Sequence, residues 1–141
     1  MARVTGLVVG AAMIFVTTGV FADSFDGKWT GEMDCAKLSF TNGAMKVPFE
    51  LSVTGAMVTY SRQISNPDGS EFVGIEEGTG IVSGDGTIKL KSVAKAASRK
   101  LNFTGAYAGK LTAASGSLTG TQTWSSANGS EDRDCTITIQ R

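Results

Sequence analysis

From residue 28 onward the chain alternates apolar and polar residues with a period of two, and glycine-rich turns interrupt the pattern about every eight to twelve residues. Strands patterned this way bury one face and wet the other. Helical spacing is nearly absent. The chain carries 18 glycines and two prolines, and Asn66-Pro67-Asp68-Gly69, Gly84-Asp85-Gly86 and Asn128-Gly129 supply turn residues that tolerate positive φ. The pattern predicts eight strands, at 28–35, 47–53, 57–64, 71–82, 87–93, 100–107, 117–125 and 134–141. Two stretches stand apart: 36–46, a long connection, and Ala94-Lys95-Ala96-Ala97, which has the composition of a short helical turn.

Turn length decides which side chains share a face, because one residue more or less inverts a strand. Counting even turns puts Phe49, Leu51 and Val53 with Val58, Tyr60, Arg62 and Ile64, then with Val73, Ile75, Glu77, Thr79 and Ile81, then with Ile88 and Leu90. Trp29, Gly31, Met33 and Cys35 face inward from the first strand; Cys135, Ile137 and Ile139 face inward from the last. Leu101, Phe103, Tyr107, Leu118 and Trp124 complete the expected core. Phe72 falls on the wet side of this scheme.

The first 22 residues read differently. Arg3 is their one charge, 7–16 is apolar apart from Gly10, and Val20-Phe21-Ala22 offers small side chains where a signal peptidase needs them. The expectation is a removable export signal at 1–22, followed by one domain at 23–141. The apolar run is about half the roughly 20 residues that span a bilayer. The expected home is therefore the periplasm or the medium, with no part embedded in a membrane. Removal of the signal takes away one basic residue of 13 and none of the 13 acidic ones. A near-neutral domain is a poor partner for nucleic acid.

Export also bears on the two cysteines, since an oxidising compartment favours pairing Cys35 with Cys135. A bridge enclosing about 100 residues is worth roughly 4 to 5 kcal/mol by loop-closure entropy. In an eight-stranded up-and-down order the first and last strands are antiparallel, so that bridge fits a closed antiparallel β-barrel. The same register brings Arg141 to within about two residues of Trp29. A membrane barrel needs the opposite alternation, apolar outside and polar inside.

Phe25-Asp26-Gly27-Lys28-Trp29 resembles the opening of the calycin barrels, the group of lipocalins, fatty-acid-binding proteins and avidins, whose first strand begins glycine, any residue, tryptophan. The resemblance implies a lipocalin- or avidin-like barrel in which an arginine near the last strand, here Arg141, packs over Trp29. It extends to no ligand set of that group. The chain is also similar to small exported proteins of Gram-negative bacteria.

Little in the sequence supports catalysis. Histidine, the commonest general base and metal ligand, is absent. No Gly-x-Ser-x-Gly occurs, bridged cysteines are not nucleophiles, and no phosphate-cradling glycine loop opens a helix. Glu76 and Glu77 point to opposite faces of a strand, and Asp132-Arg133-Asp134 reads as a solvated turn rather than a metal site. No catalytic residue, metal or cofactor is expected. Arg62 and Glu77 are the two charges on the apolar side, and an uncompensated interior ion costs several kcal/mol, so they should pair or reach a wet mouth. With Tyr60, Phe103, Tyr107 and Trp124 as walls they form the candidate pocket for a small apolar ligand. The competing expectation is a filled barrel acting as an inhibitor-like protein-interaction module through its loops, above all 36–46 with Leu38, Phe40 and Met45.

Overall fold

The computed structural model describes residues 24–65, 72–96 and 102–141. The stretch 1–22 expected to be an export signal, Leu101, Ala97 and the turn expected at Asn66–Gly69 lie outside the described residues. Eight antiparallel strands, β1 (Gly27–Cys35), β2 (Met45–Thr54), β3 (Met57–Ser65), β4 (Phe72–Val82), β5 (Thr87–Ala96), β6 (Asn102–Leu111), β7 (Ser115–Ser126) and β8 (Gly129–Gln140), close in sequence order into one barrel. Ala94-Lys95-Ala96 is the end of β5 and not a helical turn.

Closure is made by β1 and β8, whose register sets Cys35 opposite Cys135. The two α-carbons stand 4.0 Å apart and the sulfurs are bonded. The same register ends at Thr30 opposite Gln140, which leaves Arg141 beside Trp29. There the indole is fully buried and donates its N–H to the Phe25 carbonyl at 2.9 Å. The Arg141 guanidinium lies 5.7 Å from the ring centroid and donates to the carbonyls of Ser24, at 2.9 Å, and Asp26. This cap shuts one end of the barrel.

Alternation places the core as expected on seven strands. Trp29, Met33, Leu51, Val58, Ile88, Leu118 and Ile137 meet in the interior with Leu111 and Val82. A smaller cluster, Ile64, Ala94 and Phe103 with Trp124 against it, fills the opposite end.

β4 is inverted relative to the sequence expectation. Gly74, Glu76, Gly78 and Val82 face in, while Ile75, Glu77, Thr79 and Ile81 face out. The cause is a bulge: the ladder pairs Ser65 with Phe72 and then Ile64 with Gly74, skipping Val73. One extra residue turns over every side chain that follows. A second odd count restores the phase. Ser83 N–H bonds the Thr87 carbonyl at 2.8 Å around the three-residue loop Gly84-Asp85-Gly86, with Gly86 at φ 86°, the form of a three-residue hairpin. Thus Val82 faces Ile88, and β5 has its expected face although β4 does not.

The remaining correction concerns Asp132-Arg133-Asp134. These residues lie within β8, which begins at Gly129, and the arginine points into the barrel.

Candidate functional site

Between the two apolar clusters the interior is crossed by a polar layer. Glu76, wholly buried, is its centre. Its Oε2 accepts from Arg62 Nε at 2.9 Å and Nη2 at 2.6 Å. Its Oε1 accepts from Tyr60 OH at 2.8 Å, Ser92 Oγ at 2.7 Å and, more distantly, Tyr107 OH at 3.4 Å. The predicted partner of Arg62, Glu77, is exposed on the outer wall because of the Val73 bulge. The ion pair expected of Arg62 is therefore made with the preceding residue.

The layer continues across β7 and β8. Gln122 Nε2 donates to Tyr107 OH at 2.9 Å, which fixes the amide so that its Oε1 accepts from Arg133 Nε at 2.9 Å, Arg133 Nη2 at 2.7 Å and Trp124 Nε1 at 3.2 Å. Arg133 Nη2 also lies 3.4 Å from the Met45 sulfur, and its guanidinium stands 5.2 Å from the Trp124 ring centroid. Every buried side-chain nitrogen and oxygen among the described residues has a hydrogen-bond partner. Space for the two tyrosine rings comes from glycines. A Cβ on Gly78 would sit 1.9 Å from the Tyr60 ring, and one on Gly105 would sit 2.5 Å from Tyr107 OH.

Hydrogen bonding is complete, but charge is not. Among the described residues, two guanidiniums share this interior with one carboxylate, and Arg133, 5% exposed, has hydrogen bonds to neutral groups only. Burial, and next the positive charge of Arg62, lower its pKa to about 10. Burial and then the Glu76 carboxylate act on the tyrosines: Tyr107 is pushed up to about 12 and Tyr60 higher still.

The layer lies towards the end of the barrel away from Trp29, where the wall is incomplete. β2 and β3 pair at only three positions, Ser52 with Thr59, Val53 with Val58 and Thr54 with Met57. Beyond them the strands diverge. Other ladders run from six pairs at β1–β8 to twelve at β7–β8. The diverging part of β2 contains Pro48, which has no N–H to give a neighbour and suits a free edge. Phe49 packs on Tyr60 within this fork, with ring centroids 4.8 Å apart, and Met45, Val47 and Arg62 around it are half-buried.

The β1–β2 connection folds over the same end. Leu38 is buried, and Ser39 donates from its N–H at 2.8 Å and its hydroxyl at 2.5 Å to the Glu131 carboxylate. Phe40 stands edge-on to Trp124 at 5.7 Å, about half exposed. The loop is a cover pinned to its β7–β8 side, where Glu131 and Trp124 are ladder partners.

Of the candidate pocket residues, Tyr60, Arg62, Phe103, Tyr107 and Trp124 converge in this half of the barrel; Glu77 does not. Sequence reasoning missed Glu76, Ser92, Gln122 and Arg133. Two hollows, of about 510 and 460 Å³, both lie on the outside of the wall and not in its interior. No group of three or more acidic, cysteine or histidine side chains is placed to hold a metal among the described residues. Comparisons with protein-family models, curated proteins and solved structures find no match.

Proposed function

We propose that the domain is an exported, periplasmic or secreted, non-enzymatic binding module that takes a small ligand with an apolar body and an anionic group at its Trp124 end. The supporting observation is the unbalanced charge: among the described residues Arg133 is held against the Trp124 ring with neutral hydrogen-bond partners only, and the positive charge of Arg62 acts against it. An anion there removes that repulsion, and charge-assisted bonds in a dry setting are worth more than neutral ones. Ile64, Phe103, Trp124 and Phe40 offer the apolar contacts. The Trp29 half is packed with side chains, so the ligand belongs at the mouth and along the β2–β3 fork, where a guest displaces the cover and not the core.

Thermal unfolding in the presence of n-alkyl carboxylates of graded length, set against the matching alcohols, tests the reading. A carboxylate should raise the midpoint by several degrees where its alcohol does not, as expected of a ligand bound by the folded state alone. Arg133→Met should remove the shift while leaving the far-ultraviolet circular dichroism unchanged. Carboxylates without effect, or an equal shift in the variant, would refute it.

A further inference from the structure

The outer wall is electrically divided. On β5, Lys89 and Lys91 project side by side from the same face and make no salt bridge among the described residues, whereas Lys28, Lys46 and Lys110 pair with Glu50, Glu32 and Asp85. Exposed Ile81, with Met57 opposite it in the β3–β4 ladder, forms an apolar bank beside the two lysines. Small residues, Ala106 and Ala108, lie on their other side, so the lysines stand proud of a shallow trough.

Away from β5 around the barrel, β1 and β8 carry the converse. Glu32, Asp34 and Asp134 line a hollow of about 460 Å³ floored by Ala36, Thr136 and Thr138. Lys46 pairs with Glu32 and stands opposite Asp34 in the β1–β2 ladder, one cation set against two carboxylates, while Asp134 makes no salt bridge among the described residues. Spacing matches as well as sign. Two residues along one strand put the Lys89 and Lys91 attachment points about 7 Å apart. Asp34 pairs with Thr136, so Asp134 is its diagonal neighbour, also about 7 to 8 Å away.

We infer that the chain associates with a second copy of itself, the Lys89/Lys91 pair of one molecule entering the Asp34/Asp134 hollow of the next. The two surfaces differ, so the contact is heterologous, and the pair keeps one free hollow on one copy and one free knob on the other. Association is then open-ended unless the rotation closes a ring. The contact involves none of the side chains assigned to the ligand at the barrel mouth, so its test reads separately from the ligand test. Small, exposed and charge-dominated, it is weak and sensitive to salt, because the screening length falls from about 30 Å at 0.01 M to about 3 Å at 1 M.

Sedimentation equilibrium of the purified protein over a concentration series, at low and at high ionic strength, reads this directly. The average mass should rise with concentration at low salt, with association weakened at least about tenfold at high salt. Lys89→Glu with Lys91→Glu should give a monomer at every concentration. So should Asp34→Lys with Asp134→Lys. An equimolar mixture of these two variants should recover association, because each reversed surface finds its complement. A wild-type chain that stays monomeric at low salt overturns the proposal, and so do variants that associate like wild type or a mixture that stays monomeric.

Discussion

Replacing Glu76 by Gln keeps the shape of the side chain and removes the one buried carboxylate among the described residues. The carboxylate accepts from Arg62 twice and from Tyr60, Ser92 and Tyr107. The amide accepts at one atom and turns two donors toward groups that are themselves donors. Arg62, whose side chain is 11% exposed, loses its charged partner. Breaking a buried pair from one side costs about 3 to 5 kcal/mol. For a domain of this size that lowers the thermal midpoint by about 10 to 20 °C. Glu77→Gln, one residue away on the outer wall, should change stability by less than about 0.5 kcal/mol. Denaturant unfolding followed by circular dichroism measures both. Equal effects, or a larger one at residue 77, would mean that β4 is not inverted and that the Val73 bulge is misplaced.

Three further outcomes follow from the same interior. Tyr60 and Tyr107 are the two tyrosines of the chain, so ultraviolet titration of tyrosinate should show neither ionising at the ordinary value near 10 while the barrel is folded; a native transition there would contradict the burial. Both stay protonated in the fold when the unfolded chain has released its protons, so stability falls above about pH 10. Arg133, deprotonating first in the fold, opposes this from about pH 10 upward but offsets only one of the two tyrosines. Changing both Cys35 and Cys135 to Ala should cost about 2 to 5 kcal/mol with the strand content retained, and an unchanged denaturation midpoint would show that the bridge does not constrain the unfolded chain. Gly78→Ala should cost about 1 to 3 kcal/mol through overlap with the Tyr60 ring, and a neutral effect would mean that the ring has room to move.

Much of this was readable from residue order. Period-two alternation locates all eight strands, and placing two cysteines in phase on the first and last of them leads to closure, because only neighbouring strands bring such positions together. Arg133 and Gln122 were legible too. Arg133 keeps the phase of Cys135, Ile137 and Ile139, and Gln122 that of Leu118 and Trp124; reading the aspartates as a turn cut β8 short and hid the first of them. β4 was not legible, since nothing in Ser65 to Val73 tells a bulge from a straight ladder, and the odd loop at Gly84–Gly86 then cancelled the error one strand later. Pro48 is a signal passed over: a residue without a backbone donor, inside an alternating strand, points to a place where the neighbour has moved away.

The line where β1 meets β8 is secured twice, by the sulfur bridge near one rim and by the Arg141–Trp29 cap near the other. Motion of the wall is therefore displaced to the three-rung junction between β2 and β3. Backbone amides that face the fork from residues 45–51 and 60–65 should exchange with deuterium ahead of those in the long β7–β8 ladder. When this cylinder breathes it opens along that one slit, with Arg62 just inside.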